Sequence, residues 1–543
     1  MRSDTDQLRV ADHKPYHVNL ERGAAMERNR FSTSNPKPSR AGTKALLLIA
    51  LGAILIATCR DITAQGVRPS QWSAPISLPL VPVAAANLSD GTVLLWSADS
   101  PLSFTGGEVD PGKHENTGGT YTAIFDPMSR SSTQTVVTKT GHDMFCPGIA
   151  NLPDGSVFVT GGSSSSKVSI FNPSSRKWTS GKQMNIARGY QGSVTLSSGG
   201  VFVLGGSWNG GQGHKNGETW VGNSGWRDNV AVLADYFLTN DAAGIYRADN
   251  HMWLFAVSDG RVFHAGPSRA MHWIDTAGNG SVEQAGNRGS DAMNGNAVMY
   301  DVRKILVVGG APNYEETEAT SNATLIDISS GAAITRAIAP MSYKRTFHNS
   351  IVLPSGDVVV VGGQAFAKIF SDDNAVLTAE LWSPGTEAFM LLAAQAVPRT
   401  YHSFALLLPD GRVLSGGGGL CGQCSTNHTN AEILTPPYLL NADGSPALRP
   451  TILSAPTTAS LGSSISVSTD KTVSAFALMR LSSATHSLNN EQRRVPLSFR
   501  VGRAGEYLLS IPIDPGVVVP GYYMLFALDA TGVPSVSRTL RIH

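Results

Sequence analysis

An all-β chain, a seven-bladed kelch-type β-propeller followed by an immunoglobulin-like β-sandwich, is what three features of the sequence predict. One short pattern recurs seven times between residues 87 and 418. Apolar and polar residues alternate in the last hundred or so positions. Glycine (56) and proline (30) are plentiful while charged residues are only 15%, a balance that suits short strands and tight turns.

Taken in chain order, residues 1–44 are polar, carry scattered Arg and Lys, and read as an unstructured leader. Residues 45–65 are read as a signal peptide or membrane anchor and carry most of "KALLLIALGAILIATCRD", where fourteen mostly apolar residues run up to Cys59. That length makes a good signal-peptide core but falls short of the about 20 residues that span a bilayer. A cleaved signal, a signal anchor and a lipoprotein signal ending at Cys59 all fit, and a start at Met26 would shorten the leader. The expectation is export, as a secreted, periplasmic or surface-tethered protein, with the mode of release open.

Residues 66–445 hold the repeat. Its copies are "NLSDGTVLLWS", "NLPDGSVFVTGG", "TLSSGGVFVLGG", "AVSDGRVFHAG", "MYDVRKILVVGG", "VLPSGDVVVVGG" and "LLPDGRVLSGGG". Each reads as strand end, tight turn, apolar strand, then glycine. Asp-Gly and Ser-Gly supply the positive-φ turn residue of a hairpin. The Val/Leu run suits a strand covered on both faces. Copies begin about 50 residues apart, the kelch period. Four are followed by a recognisable third strand: "VSIFNPSSRKW", "ATLIDISSGAA", "AELWSPGTEAF" and "AEILTPPYLL". Residues 446–543, with "SISVSTDKTVSAFALMRL", alternate with period two and predict the sandwich.

The 42 basic and 41 acidic residues give no electrostatic case for nucleic acid or an anionic membrane surface. The expected partners are small molecules, and the expected state is a monomer. Four motifs stand out from the repeat: "MFCPG" with Cys146, "ARGYQGS" with Tyr190 followed by "GGSW" with Trp208, "RTYHS" with Tyr401 and His402, and "SSATHSLNNEQRRVPL" with His486. Singly each has a plain explanation: a buried thiol, a surface Tyr-His pair, a capped loop. Together, two imidazoles and two phenols suit a tetragonal Cu(II) site. Loops at one end of a propeller converge on its axis, where ligands from separate blades can meet.

These motifs, with "YRADNHMWLF", "GNAVMYD", "RTFH" and "GGGGLCG", make the chain resemble galactose oxidase and its relatives, the copper radical oxidases, from about residue 87 to the C-terminus. The resemblance implies that Tyr190, His402 and His486 are equatorial copper ligands and Tyr401 the weak axial one. It implies a thioether between Cys146 and the Tyr190 ring, with Trp208 stacked over it, and a disulfide between Cys421 and Cys424. Arg247, Phe104, Phe370 and Tyr314 match substrate-contacting positions, and Glu315 stands where galactose oxidase carries glutamine.

The implied cofactors are one copper ion and the Cys146–Tyr190 radical; no flavin or nicotinamide motif is evident, and the glycine pairs are read as lying on strands. The implied reaction oxidises a primary alcohol, in a small molecule or a glycan, with O2 reduced to H2O2. A glyoxal or aldehyde oxidase of the same family and a non-catalytic kelch binding module are the alternatives. The chain also lacks the N-terminal carbohydrate-binding domain of fungal galactose oxidase, which favours soluble glycans or smaller alcohols.

Overall fold

A computed structural model describes residues 69–106, 118–503 and 505–543, so the leader and the apolar tract that carry the export and tether readings lie outside it. No helix among the described residues is long and apolar enough to cross a membrane.

Each repeat copy becomes the inner hairpin of one antiparallel sheet, and there are seven such sheets among the described residues. The innermost strands are Ala84–Asn87, Gly148–Asn151, Gly192–Thr195, Trp253–Ala256, Asn296–Asp301, Thr346–Val352 and Ser403–Leu407. Each packs beside the innermost strand of its neighbours, and the last returns to the first, closing a ring of blades. Runs such as Val358–Val361 are wholly buried because neighbouring blades cover both faces. All seven blades have the third strand, including Thr120–Asp126, Gly217–Trp220 and Ala270–Asp275, which the repeat had left unread. One inner hairpin turn departs from the glycine rule: Arg303 takes φ 58° in the fifth blade.

The glycine pairs lie on strands as expected in the last two blades, with Gly362–Gly363 inside Val358–Gln364 and Gly416–Gly417 inside Val413–Gly417, but not in three others. Gly161–Gly162, Gly205–Gly206 and Gly309–Gly310 follow the ends of their strands with positive φ throughout. Space explains why these positions are glycine: a Cβ at Gly362, in the sixth pair, would stand 2.4 Å from the carbonyl oxygen of Arg399. Three of these pairs serve buried arginines. Nη1 of Arg188, Arg345 and Arg399 donates to the carbonyls of Gly205, Gly362 and Gly417 at 3.0, 2.8 and 3.0 Å. Each guanidinium also pairs with a third-strand carboxylate, Glu218, Glu380 or Glu432, at 2.7, 3.0 and 3.2 Å with no side-chain exposure on either partner. The arginines precede Tyr190, Phe347 and Tyr401 by two residues, so these pairs anchor the loops that run to the ring's axis.

The two ends of the propeller segment meet and close the ring. Gln71–Trp72 and Ile76–Ser77 pair with Asn430–Thr435 of the last blade. Beyond it, two sheets enclose a core of Val467, Phe476, Leu478, Tyr507, Leu509 and Leu525, the expected sandwich. From this sandwich Ser483–Thr485 runs back to pair with Ala84–Asn87 of the first blade, and the polar run that follows fills the axis.

Inner strands leave backbone groups unpaired along that axis, and buried orphans are costly. Side chains of the inserted run satisfy them. Glu491 Oε1 accepts from Thr195 N at 2.7 Å. Asn490 accepts from Leu254 N and donates to Ser193 and Met252 carbonyls. Gln492 bridges Val352 N and Ser350 O, and Arg493 donates to Ala256 O. The segment "NNEQRR" is therefore a plug written in hydrogen-bonding groups.

Candidate metal centre

Four of the residues expected at the metal and its cross-link share an unusual backbone state. Cys146, Tyr190, His402 and His486 have φ of 59°, 71°, 70° and 49°. Non-glycine residues there carry strain of about 1–3 kcal/mol each, retained where the surroundings over-determine it. The restraints are visible. Tyr190 N donates to Cys146 O at 3.0 Å, and His251 N donates to Tyr190 O at 2.8 Å. His486 and Ser487 are the central pair of a two-residue turn closed between Thr485 and Leu488, both with positive φ. That turn presents the imidazole at the tip of the plug.

The side chains converge. Tyr190 and Tyr401 hydroxyls stand 2.5 Å apart. Cys146 Sγ lies 3.4 Å from His486 Nε2, and the ligand-capable atoms of Cys146, His402 and His486 all lie within 4.8 Å of one another. Trp208 stacks on Tyr190 at 4.6 Å between centroids and 12° between planes.

Tautomers follow from the partners. His402 Nδ1–H donates to Gly419 O at 2.5 Å, which leaves Nε2 as a buried lone pair with no partner. Thr485 spends its hydroxyl proton on Val83 O, so its oxygen accepts from His486 Nδ1–H at 2.8 Å, and His486 Nε2 is left unprotonated with only the Cys146 sulfur beside it. Burial pushes His402 down to about 3 and His486 well below its ordinary value, so both are neutral. Burial also raises the Cys146 thiol and the Tyr190 and Tyr401 phenols. Two neutral imidazoles, His402 with an unpartnered Nε2 and His486 with Nε2 against the Cys146 sulfur, beside two phenols fit a borderline cation such as copper.

Around this floor the expected pocket residues take distinct places. Phe104 and Phe370 are half-buried, 6.0 Å apart, and Phe370 meets Tyr401 edge-on at 5.1 Å. Arg247 is 5% exposed and lies 4.0 Å over the Tyr314 ring. Its Nη2 pairs with the half-buried Glu315 at 3.2 Å, while Nε and Nη1 are buried without partners. Tyr314 is fully buried beneath Arg247, so it supports the guanidinium instead of forming open wall. Cys421 and Cys424 form a disulfide.

Sequence reasoning gave no role to His251 and Phe145. The His251 ring lies 4.6 Å from that of Tyr190, and its Nε2 is 3.1 Å from Tyr314 Oη. Phe145 sits edge-on to both Trp208 and His402. Both fall inside motifs already singled out, "YRADNHMWLF" and "MFCPG"; only their packing separates them from other apolar positions.

Comparison with known proteins places the chain. The family model "Glyoxal oxidase N-terminus" matches residues 115–430. "Galactose oxidase-like, Early set domain" matches residues 449–542. The chain is 43% identical to "Galactose oxidase" of Gibberella zeae over 486 residues, which span 87% of this chain and 70% of that protein. It is 27% identical to "Aldehyde oxidase GLOX" of Vitis pseudoreticulata over 74% of this chain and 82% of that one. Among solved structures it resembles a "Novel fungal alcohol oxidase with catalytic diversity among the AA5 family, in complex with copper", with TM-score 0.82, 38% identity, and coverage of 87% of this chain and 99% of that one. Identity of this extent, continuous through propeller and sandwich, makes the chain a member of the galactose oxidase family of copper radical oxidases.

Proposed function

We propose that the protein oxidises a primary alcohol to the aldehyde, RCH2OH + O2 → RCHO + H2O2, with His402, His486, Tyr190 and Tyr401 holding one copper ion. The observation that carries this reading is the convergence of two neutral imidazoles, His402 with an unpartnered Nε2 and His486 with Nε2 against Cys146 Sγ, on two touching phenols. Bound copper would supply Lewis acidity and one of the two oxidising equivalents. The second must come from the chain itself, and Tyr190 is the group suited to give it. Cys146 lies against Tyr190 through main-chain pairing, and a thioether from Sγ to that ring would spread an unpaired electron onto sulfur. Trp208 covers the same ring and keeps water from it. Tyr401, hydrogen-bonded to Tyr190, is placed to take the alcohol proton at Oη. The catalytic unit in this reading is residues 66–445 with 446–543, since His486 comes from the sandwich.

Substrate selection rests on Arg247. Its unpartnered Nε and Nη1 can meet vicinal hydroxyls, with Phe104 and Phe370 against the carbon face. Glu315 occupies the remaining Nη2, so the pocket suits a sugar-like or smaller polyol without strict galactose preference. Export of a monomer, tethered or released, is in keeping with the disulfide and the apolar N-terminal tract.

The test is a peroxide-coupled assay with and without added copper on galactose, glycerol, benzyl alcohol and glyoxal, together with tryptic mapping of the copper-exposed protein. Copper-dependent turnover of alcohols, and a single linked peptide holding Cys146 and Tyr190, are expected. Preference for glyoxal would make it an aldehyde oxidase. Silence on every substrate would leave a binding module.

A further inference from the structure

The geometry points to Asn427 as a positioning residue that sets two things at once: the orientation of His402 and the seat of the Phe104 wall. This rests on the copper-site reading above. The carbonyl of Gly419 receives His402 Nδ1–H and so aims Nε2. Gly419 N is itself donated to Tyr401 O at 3.0 Å, so this peptide is folded directly over the Tyr401–His402 pair. A Cβ at Gly419 would stand 2.3 Å from Thr426 O and 2.7 Å from Asn427 Oδ1, so glycine there is what lets the returning chain press close.

Asn427 holds that peptide in place from the far side. Its Oδ1 accepts from Leu420 N at 2.6 Å and Cys421 N at 2.9 Å, the two amides that follow Gly419. Leu420 is buried at φ 80°, a strained state that needs such a restraint. The amide's other end does different work. Nδ2 donates to Leu102 O at 2.9 Å and to Gly422 O at 2.6 Å. Leu102 lies two residues before Phe104, and Gly422 N also donates to Leu102 O at 2.9 Å. One side chain therefore holds the metal-facing loop through its acceptor, and through its donors ties the far end of that loop, at Gly422 O, to Leu102 O of the substrate wall. The Cys421–Cys424 disulfide closes the same loop around it, with Cys424 Sγ 3.3 Å from Asn427 Oδ1.

The split between acceptor and donor makes the idea testable. Asn427→Asp keeps an oxygen for Leu420 N and Cys421 N but offers no N–H to Leu102 O. Asn427→Ala loses both. On copper-loaded protein, the Cu(II) electron paramagnetic resonance spectrum reads His402, and the KM-against-kcat split for an alcohol reads the wall. Asn427→Asp is expected to leave the spectrum and kcat at wild-type values while raising KM about tenfold. Asn427→Ala is expected to alter the copper hyperfine pattern and lower kcat as well. The inference is overturned if Asn427→Asp disturbs the spectrum as Asn427→Ala does, or if Asn427→Ala leaves the spectrum unchanged. Should Asn427→Ala fail to fold, the Asp variant still decides: an altered spectrum or an unchanged KM refutes the assignment. If wild-type protein turns over no alcohol, the functional reading falls by itself, and the spectra still report on His402.

Discussion

Replacing Glu432 with alanine asks whether the buried arginines are structural keystones. Arg399 and Glu432 have no side-chain exposure and meet at 3.2 Å. Glu432 also accepts from Ala396 N and Val397 N at 2.8 and 3.2 Å. Arg399 would keep Gly417 O, Asn430 O and Asn430 Oδ1 but no counter-charge. Breaking a buried pair from one side costs about 3–5 kcal/mol. At about 2.1 cal/mol/K per residue, a folded unit of roughly 475 residues has an unfolding entropy near ~1 kcal/mol/K, so Tm should fall by about 3–5 °C. Arg336–Glu387 provides an internal control, since it is shorter at 2.6 Å but 57% and 39% exposed. Exposed pairs contribute little, so Glu387→Ala should leave Tm where it was. Calorimetry on both variants decides the matter. Equal shifts, or a shift for Glu432→Ala no larger than the control's, would mean that burial does not set the strength of these pairs.

Other expectations follow from the site. His402→Ala and His486→Ala should each lower bound copper on metal analysis and cut peroxide output by more than the about hundredfold that loss of a supporting partner costs. Arg247→Ala should raise KM for polyhydroxy substrates at least about tenfold and spare simple alcohols, while Glu315→Gln should lower KM for polyols by freeing Nη2; steady-state kinetics on glycerol and benzyl alcohol separates the two. Burial, then the nearby Asp99, pushes the Asp143 carboxyl up to about 7 from 3.8. Between those values the folded side chain keeps a proton that the unfolded chain has lost, so stability falls as pH rises through the window and levels off above it. Asp143→Asn should flatten that slope, with a gain of up to about 4 kcal/mol at pH 8 that vanishes near pH 4 in denaturant titrations.

The ring was legible because each inner hairpin is encoded locally, by a turn residue and an apolar run. Third strands such as Gly217–Trp220 escaped notice because "GETW" carries no such run and owes its place to pairing with Val201–Leu204. The site's members could be picked out by residue type and family motif, but their protonation could not. The lone pairs on His402 and His486 are fixed by Gly419 O and Thr485 Oγ1, contacts that only the folded chain brings together. Nor did Asn490, Glu491 and Gln492 announce themselves. A polar run in a β-sandwich looks like an exposed loop until inner strands with unpaired amides surround it.

That plug has a consequence for when chemistry can begin. A nascent chain that has emerged only as far as Asn430–Thr435 can pair its opening strands and draw the blades together, yet it still has a hollow centre and lacks one imidazole. His486 arrives only with the sandwich, on the turn between the strand that pairs with the first blade and the polar run that seals the hollow. Assembly of the four-residue cluster thus waits until the whole ring of blades has been made.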